Sequence, residues 1–294
     1  MIRGIFAPIP TPFLDGEISY DHLAQNIAKW NKTGLAGLVV MGSNGEAPYL
    51  DEDEKVEMWA FTRKHLSADK VLIAGTGQES TRATVRLTKK AAQAGAQAAL
   101  VISPNYFKAN MTPKALEGFY TDVADESPIP VLVYNMPGNT GLNLSSPLVT
   151  RLSKHPNIVG VKDSSGNIVQ ISETIRGVSD DFSVFAGSAS FLLPAVVMGA
   201  KGGTLATANV VPDLCVNVFE LALAGKVEEA RAIQLSILEL NALVTAKYGV
   251  AGLKAALDMV GYFGGEPRRP MLPAGEDARA EIRQALEKLG RVVK

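Results

Sequence analysis

Eight short runs rich in Val, Ile, Leu, Ala and Gly recur along the chain, most of them separated by segments with helical periodicity. They are IFAPIP from residue 5, GLVVMG at 37–42, VLIAGTG at 71–77, AALVISP at 98–104, IPVLVY at 129–134, IVGVKD at 158–163, FSVFAGS at 182–188 and GGTLAT at 202–207. Each is nearly continuously apolar, as parallel strands covered on both faces are. Between them, SYDHLAQNIAKWNKTG sets Leu23, Ile27 and Trp30 on one helical face with Gly34 as a stop. STRATVRLTKKAAQAG opens on Ser80 as a cap and ends at Gly95. A strand–helix unit repeated eight times predicts an α/β fold, a (β/α)8 TIM barrel.

After the eighth run the strand pattern stops. From about Val210 the chain reads as helices: LCVNVFELALAG, which closes the barrel, then VEEARAIQLSILELNALVTAK, GLKAALDMVG and EDARAEIRQALEKLG. The Gly/Pro-rich stretch YFGGEPRRPMLP at 262–273 links the last two. This predicts a barrel over residues 1–225 and a C-terminal helical subdomain over 226–294. With 29 basic and 30 acidic residues and no charged block, no nucleic-acid or polybasic membrane surface is expected. The single cysteine, Cys215, excludes an internal disulfide and suits a reducing compartment. No apolar run is long enough to span a membrane, and MIRGIFAPIPTPF carries no signal-peptide core. A cytoplasmic protein is expected.

In a TIM barrel the chemistry sits at the C-terminal ends of the strands. That rule singles out Lys162, which follows an apolar run. Alternation turns Val159 and Val161 toward the helices, and Gly160 and Lys162 into the barrel. A dry interior disfavours the charged form of an amine. A neutral lysine amine is a nucleophile toward carbonyls, most often as a Schiff base. The alternative is a structural lysine paired to Asp163 or Glu46. Tyr134 ends the preceding strand, where a phenol can move protons on a substrate oxygen or simply plug the barrel mouth.

The loop GSNGE at 42–46 follows the second strand. Its glycines permit an anion-binding nest of N–H groups, with Ser43 and Asn44 adding a hydroxyl and an amide. A tight loop capping the next helix is the alternative. The AGS and GGT strand ends, at 186–188 and 202–204, fall where barrels hold phosphate or carboxylate. GTGQES at 75–80 lacks a complete dinucleotide fingerprint and reads as a turn and cap. His22, His65 and His155 are scattered, and no spacing predicts a metal site. Asp51 to Glu54 reads as a solvated helix N-terminus.

Taken together, GSNGE, ISPNY, VYNMPGNTG, HPNIVGVKDSSG, AGSASF and LATANV occur in the order that marks the dihydrodipicolinate synthase / N-acetylneuraminate lyase family, and the resemblance covers essentially the whole chain. The resemblance implies a barrel with a helical C-terminal part, usually a homotetramer. It also implies a metal-independent class I aldolase that binds pyruvate or another 2-oxo acid as a covalent imine, with no separate cofactor. It makes Lys162 the imine-forming lysine and Tyr134 the proton-transferring phenol. Ser43 and Asn44 would hold the 2-oxo acid carboxylate or relay protons, and Gly187 and Thr204 would line the pocket. Tyr106 is similar to the tyrosine that reaches into a neighbouring subunit's site.

One departure from the family bears on the substrate. Dihydrodipicolinate synthases carry an arginine where this chain has Asn139, and that arginine holds the carboxylate of aspartate semialdehyde. Loss of a bidentate cation is not a conservative change. GSNGE, NTG, HPNIVGVKDS and GYFGG instead resemble the 4-hydroxy-2-oxoglutarate aldolases of the family. The expected reaction is cleavage of 4-hydroxy-2-oxoglutarate to pyruvate and glyoxylate, with Asn139 and Ser164 as neutral donors to the far carboxylate. The alternatives are a 2-keto-3-deoxy sugar acid aldolase, a dihydrodipicolinate synthase and a silent 2-oxo acid-binding protein. A pyridoxal-phosphate enzyme would also use a lysine imine, though only the two Gly-rich strand ends favour it.

Overall fold

The structure, a computed structural model, describes residues 1–291. Eight parallel strands close into one barrel: β1 Gly4–Pro8, β2 Gly37–Val40, β3 Val71–Gly75, β4 Ala98–Ile102, β5 Val131–Asn135, β6 Ile158–Asp163, β7 Ser183–Ala186 and β8 Gly202–Thr204. Each pairs with its sequence neighbour, and β8 closes on β1 through Gly4 opposite Gly202. All eight expected runs are therefore strands of one sheet. A small antiparallel hairpin, Phe13–Leu14 with Glu17–Ile18, follows β1.

Alternation along the strands separates two apolar clusters. Phe6, Val39, Ile73, Leu100, Leu132 and Phe185 fill the barrel, with Phe6 and Phe185 edge to face at 5.7 Å. Their neighbours Ile5, Leu38, Val40, Val133 and Val161 face outward into the larger core under the helices. The outer ring is α1 Tyr20–Trp30, α2 Glu52–His65, α3 Thr81–Gln93, α4 Pro113–Glu126, α5 Ser146–Leu152, α6 Ile168–Gly177, α7 Leu192–Val197 and α8 Pro212–Leu223. Leu23, Ile27 and Trp30 form the buried face of α1, as expected. That helix ends before Gly34, however, and Thr33 caps it by donating its hydroxyl to the Trp30 carbonyl.

Asp51 to Glu54 is more than a solvated end. Asp51 and Glu54 form a reciprocal capping box at 2.9 Å in each direction. Glu54 also binds Arg268 from the far end of the chain.

Strand β6 departs from simple alternation. Val131 pairs with Ile158, but Leu132 pairs with Gly160, so Val159 is the extra residue of a bulge. Ile158 and Val161 face the outer core, while Val159 packs on the barrel interior. The expectation that Val159 shares an outward face with Val161 is thus corrected. Beyond the bulge Lys162 stands opposite Tyr134.

The C-terminal part is helical: α9 Val227–Ser236, α10 Leu238–Ala242 running into a wide turn at Leu243–Lys247, α11 Gly249–Met259 and α12 Glu276–Lys288. The expected boundary after residue 225 falls between α8 and α9, and residues 292–294 of the expected second unit lie outside the described residues. Among the described residues no helix is long and apolar enough to cross a membrane.

Gly160 lies against β7, where an added Cβ would come within 2.3 Å of the Ser183 carbonyl oxygen. Overpacking of this kind costs about 1–3 kcal/mol. Gly160→Ala is expected to lower the midpoint of urea unfolding by that order, and an unchanged midpoint would show that β6 and β7 can separate freely.

Candidate active site

Lys162 and Tyr134 meet at the carboxyl ends of β6 and β5. Both are buried, Lys162 with 5 % of its surface exposed. The lysine Nζ stands over the phenol ring, 4.1 Å from its centroid. Among the described residues, no carboxylate lies within ion-pair distance of this lysine.

Neither acid considered as its partner is free. Asp163, next along the strand, points out of the barrel. Its Oδ1 accepts the Ser165 N–H at 2.8 Å and the Ser165 hydroxyl at 2.5 Å; its Oδ2 accepts Asn135 Nδ2 at 2.9 Å and Gln170 Nε2 at 3.1 Å. Four neutral donors thus satisfy a buried carboxylate without a cation. Glu46 lies 2.6 Å from Lys254 Nζ on α11.

Burial pushes the Tyr134 phenol up. The Lys162 ammonium beside it, with the Ser43, Lys162 and Ser164 side chains as donors, outweighs that effect and holds the phenol below its ordinary value. Ser43 Oγ is 3.4 Å from Tyr134 Oη, long beside the typical spacing of about 2.7 Å for two hydroxyls. Ser164 Oγ is buried without a hydrogen-bond partner of normal geometry, although it is close enough to stabilise the phenolate. Gly187 explains how Ser164 fits, since a Cβ there would lie 1.9 Å from Ser164 Oγ. Thr204, at the end of β8, is buried.

In the loop after β2, GSNGE forms a tight 3-10 turn at Ser43–Gly45, and a second follows at Ala47–Tyr49. The Gly45 and Glu46 N–H groups bond to the Gly42 and Ser43 carbonyls, whereas no such bond engages the Ser43 and Asn44 N–H groups at the start of the turn. The loop does not cap α2, because Asp51 does. Asn44 donates to the Pro8 carbonyl at 3.3 Å, and Thr11 donates to the Gly45 carbonyl at 2.7 Å. Residues Met41 and Glu46, which flank the turn, are both in the left-handed region, at φ 64° and 58°.

A cavity of about 390 Å³ reaches Ser43, Tyr134 and Asn139 on one side and Lys55, Gln78 and Glu79 on the other. Tyr134 lines this cavity, and Lys162 lies against the Tyr134 ring. Tyr106 is not brought into the site: it is 79 % exposed, and its backbone N–H is held by Glu79 Oε2 at 2.9 Å.

Sequence reasoning missed Lys55, whose ammonium is pulled down by burial against the opposing fields of Glu52, Asp51 and Glu54. It also missed Asn135, the residue after Tyr134, which orients Asp163. Among the described residues no three His, Cys, Asp or Glu side chains gather as a metal site would need.

The model of the dihydrodipicolinate synthetase family matches residues 1–289. The chain belongs to that family. It is 37 % identical to the "probable 4-hydroxy-2-oxoglutarate aldolase, mitochondrial" of Emericella nidulans, over 97 % of this chain and 94 % of that one. It is 38 % identical to the L-threo-3-deoxy-hexylosonate aldolase of Hypocrea jecorina, over 97 % and 96 %. The crystal structure of dihydrodipicolinate synthase from Aquifex aeolicus superposes with a TM-score of 0.94 at 31 % identity, covering 99 % of each chain. This family member is an enzyme, a lyase of the aldolase kind.

The tyrosine geometry makes a direct prediction. An ordinary phenol ionises near pH 10. One tyrosine, absent from Tyr134→Phe, is expected to give its phenolate absorbance at lower pH than that. In Lys162→Met the same signal should move above pH 10, because burial then acts with no opposing charge. A signal that stays in place would remove Lys162 as the cause.

Proposed function

We propose that the protein is a class I 2-oxo acid aldolase, independent of metal, that cleaves 4-hydroxy-2-oxoglutarate to pyruvate and glyoxylate through an imine at Lys162. The observation that carries this reading is a buried lysine on a strand end, without a carboxylate partner, lying against a phenol of raised acidity. A carboxylate beside the lysine would hold it as an ammonium ion, whereas the Tyr134 phenolate, a far stronger base than a carboxylate, can take that proton and become a phenol, leaving a nucleophilic amine.

In this reading the amine attacks C2 of the substrate and water leaves, giving the imine. Tyr134, backed by Ser43, takes the proton of the 4-hydroxyl. The C3–C4 bond breaks, its electrons flow into the imine as an enamine, and glyoxylate departs. Protonation of the enamine at C3 and hydrolysis then return pyruvate and the free lysine. The bulge at Val159 and the pairing of Tyr134 with Lys162 support this division of roles, because both groups reach the same rim. Ser43 and Asn44 serve the substrate's first carboxylate or relay protons, and Gly187 and Thr204 line the pocket. The unpartnered Ser164 hydroxyl and the exposed Asn139 amide are the donors assigned to the far carboxylate. Hydrogen bonds to a charged acceptor are worth about 1.5–3 kcal/mol each, so two or three serve without a cation. Tyr106 is assigned to a neighbouring subunit's site in a homotetramer, which its exposure supports.

The likeness to an L-threo-3-deoxy-hexylosonate aldolase favours a second reading, in which the same neutral donors meet the hydroxyls of a 2-keto-3-deoxy sugar acid. Comparing kcat/KM separates the two. 4-Hydroxy-2-oxoglutarate is expected to exceed 2-keto-3-deoxygluconate, and condensation of pyruvate with aspartate semialdehyde is expected to be negligible. Preference for the six-carbon acid would move the protein to the second reading.

Pyruvate with borohydride is expected to leave a reduced adduct that mass spectrometry maps to Lys162. No adduct, or one elsewhere, would refute the mechanism. Tyr134→Phe is expected to lower turnover about 10²–10⁴-fold, the usual contribution of a placed acid–base group. An unchanged rate would make Tyr134 a plug. Chelators are expected to leave cleavage intact, and loss of activity restored by a divalent ion would contradict that.

A further inference from the structure

The acid that follows the Ser43 turn is clamped on the side away from the cavity. Glu46 and Lys254 are an ion pair at 2.6 Å, each side chain no more than 1 % exposed. Glu46 Oε2 also accepts the Arg268 backbone N–H at 2.7 Å, and Lys254 Nζ donates to the Glu266 carbonyl at 2.8 Å. Lys254 lies 4.7 Å and the Arg268 guanidinium 4.3 Å from the centroid of the Phe13 ring. Arg268 grips Glu54 with both terminal nitrogens, at 2.7 and 2.8 Å. One cluster thus joins the Ser43 turn, α11, the 263–268 segment, the hairpin after β1 and the first turn of α2.

Two features give this cluster a purpose beyond stability. A buried ion pair is weak grounds for stability, since apolar residues of equal volume often serve as well. The turn it holds is also conformationally costly. Met41 and Glu46 carry side chains in the left-handed region, which persists only where the surroundings over-determine it. The β1 side pins the turn through Thr11 and Asn44, and Glu46 pins it from the C-terminal side. Ser43 immediately precedes these anchored residues in the turn, and its Oγ is 3.4 Å from Tyr134 Oη.

We propose that the Glu46–Lys254 pair is a positioning device for the reaction: it ties the Ser43 turn to α11 and so keeps the Ser43 hydroxyl in line with Tyr134. This rests on the reading of Tyr134 as the proton-transfer group. Glu46 and Lys254 touch no reacting atom and act only through the turn.

The test uses the full chain with Glu46→Gln and the double variant Glu46→Gln/Lys254→Met, each made with and without Ser43→Ala. Glu46→Gln alone is expected to lower Tm, because it leaves Lys254 buried and unpaired. The double variant removes both charges at similar volume and is expected to recover Tm but not kcat. A displacement of about 1 Å can cost about 10²-fold, so kcat for cleavage is expected to fall about 10- to 100-fold with little change in KM. The borohydride adduct with pyruvate at Lys162 should still form. In the Ser43→Ala background the same changes should lower kcat little further, because the device acts through Ser43. Recovery of kcat together with Tm in the double variant would reduce the pair to a structural role and overturn the proposal. Losses that simply add to that of Ser43→Ala would overturn it as well. Should the double variant not fold, Glu46→Gln is carried through the same cycle with the same criterion of non-additivity. Wild-type protein that forms no adduct at Lys162 would instead refute the aldolase reading itself.

Discussion

The contact between Lys162 and Tyr134 depends on one register, Tyr134 opposite Lys162 across β5 and β6, and that register depends on closure of the eight-stranded ladder. Side-chain direction alternates with a period of two, so a slip by one residue would send the lysine into the helical layer and bring Asp163 into the barrel. The bulge at Val159 takes up an extra residue before the rim is reached. Closure also brings β2 into the same circle, with Gly75 packed so closely that an added Cβ would meet the Met41 carbonyl oxygen at 2.0 Å. The turn bearing Ser43 therefore has little room to drift.

Two buried lysines in this chain have opposite environments. Lys254 has a carboxylate, a carbonyl and an aromatic ring, and its burial is answered. Burial still pulls its ammonium down, with Glu46 opposing. Removing one partner of such a pair leaves an unanswered charge at a cost of about 3–5 kcal/mol. Lys162 has no such partner, because Asp163 is fully engaged by Asn135, Ser165 and Gln170. Keeping that carboxylate satisfied by neutral donors has the effect of leaving the lysine to the phenol. The buried, unpartnered Ser164 hydroxyl lies in the same region, and polar atoms in that condition call for a ligand or water.

The barrel was legible because apolar runs and amphipathic segments repeat with little ambiguity, and all eight runs became strands. Lys162 and Tyr134 were legible because a barrel places its strand ends on one rim. The GSNGE loop was legible as a special loop but not in its use. Read alone, its glycines suggested a nest or a cap; the structure gives the cap to Asp51 and ties the tight turn to β1 and α11. Val159 was misjudged because a bulge leaves no mark in a run of apolar residues. Lys254 was passed over because a lysine among Leu253, Ala255 and Ala256 looks like any helical lysine until its partner, more than two hundred residues away in the chain, is in view.

By itself, the amino-acid sequence determined the fold class, the family and the two residues at the rim, since these follow from local period and from motifs carried within single strands or loops. Only the tertiary structure decided which carboxylate answers which lysine. Asp163 and Glu46 were equal candidates for Lys162 in sequence, and neither pairs with it. The physical reason is that a charge is satisfied by whatever lies within about 4 Å, and in a closed barrel those neighbours come from strands, turns and C-terminal helices far apart in the chain.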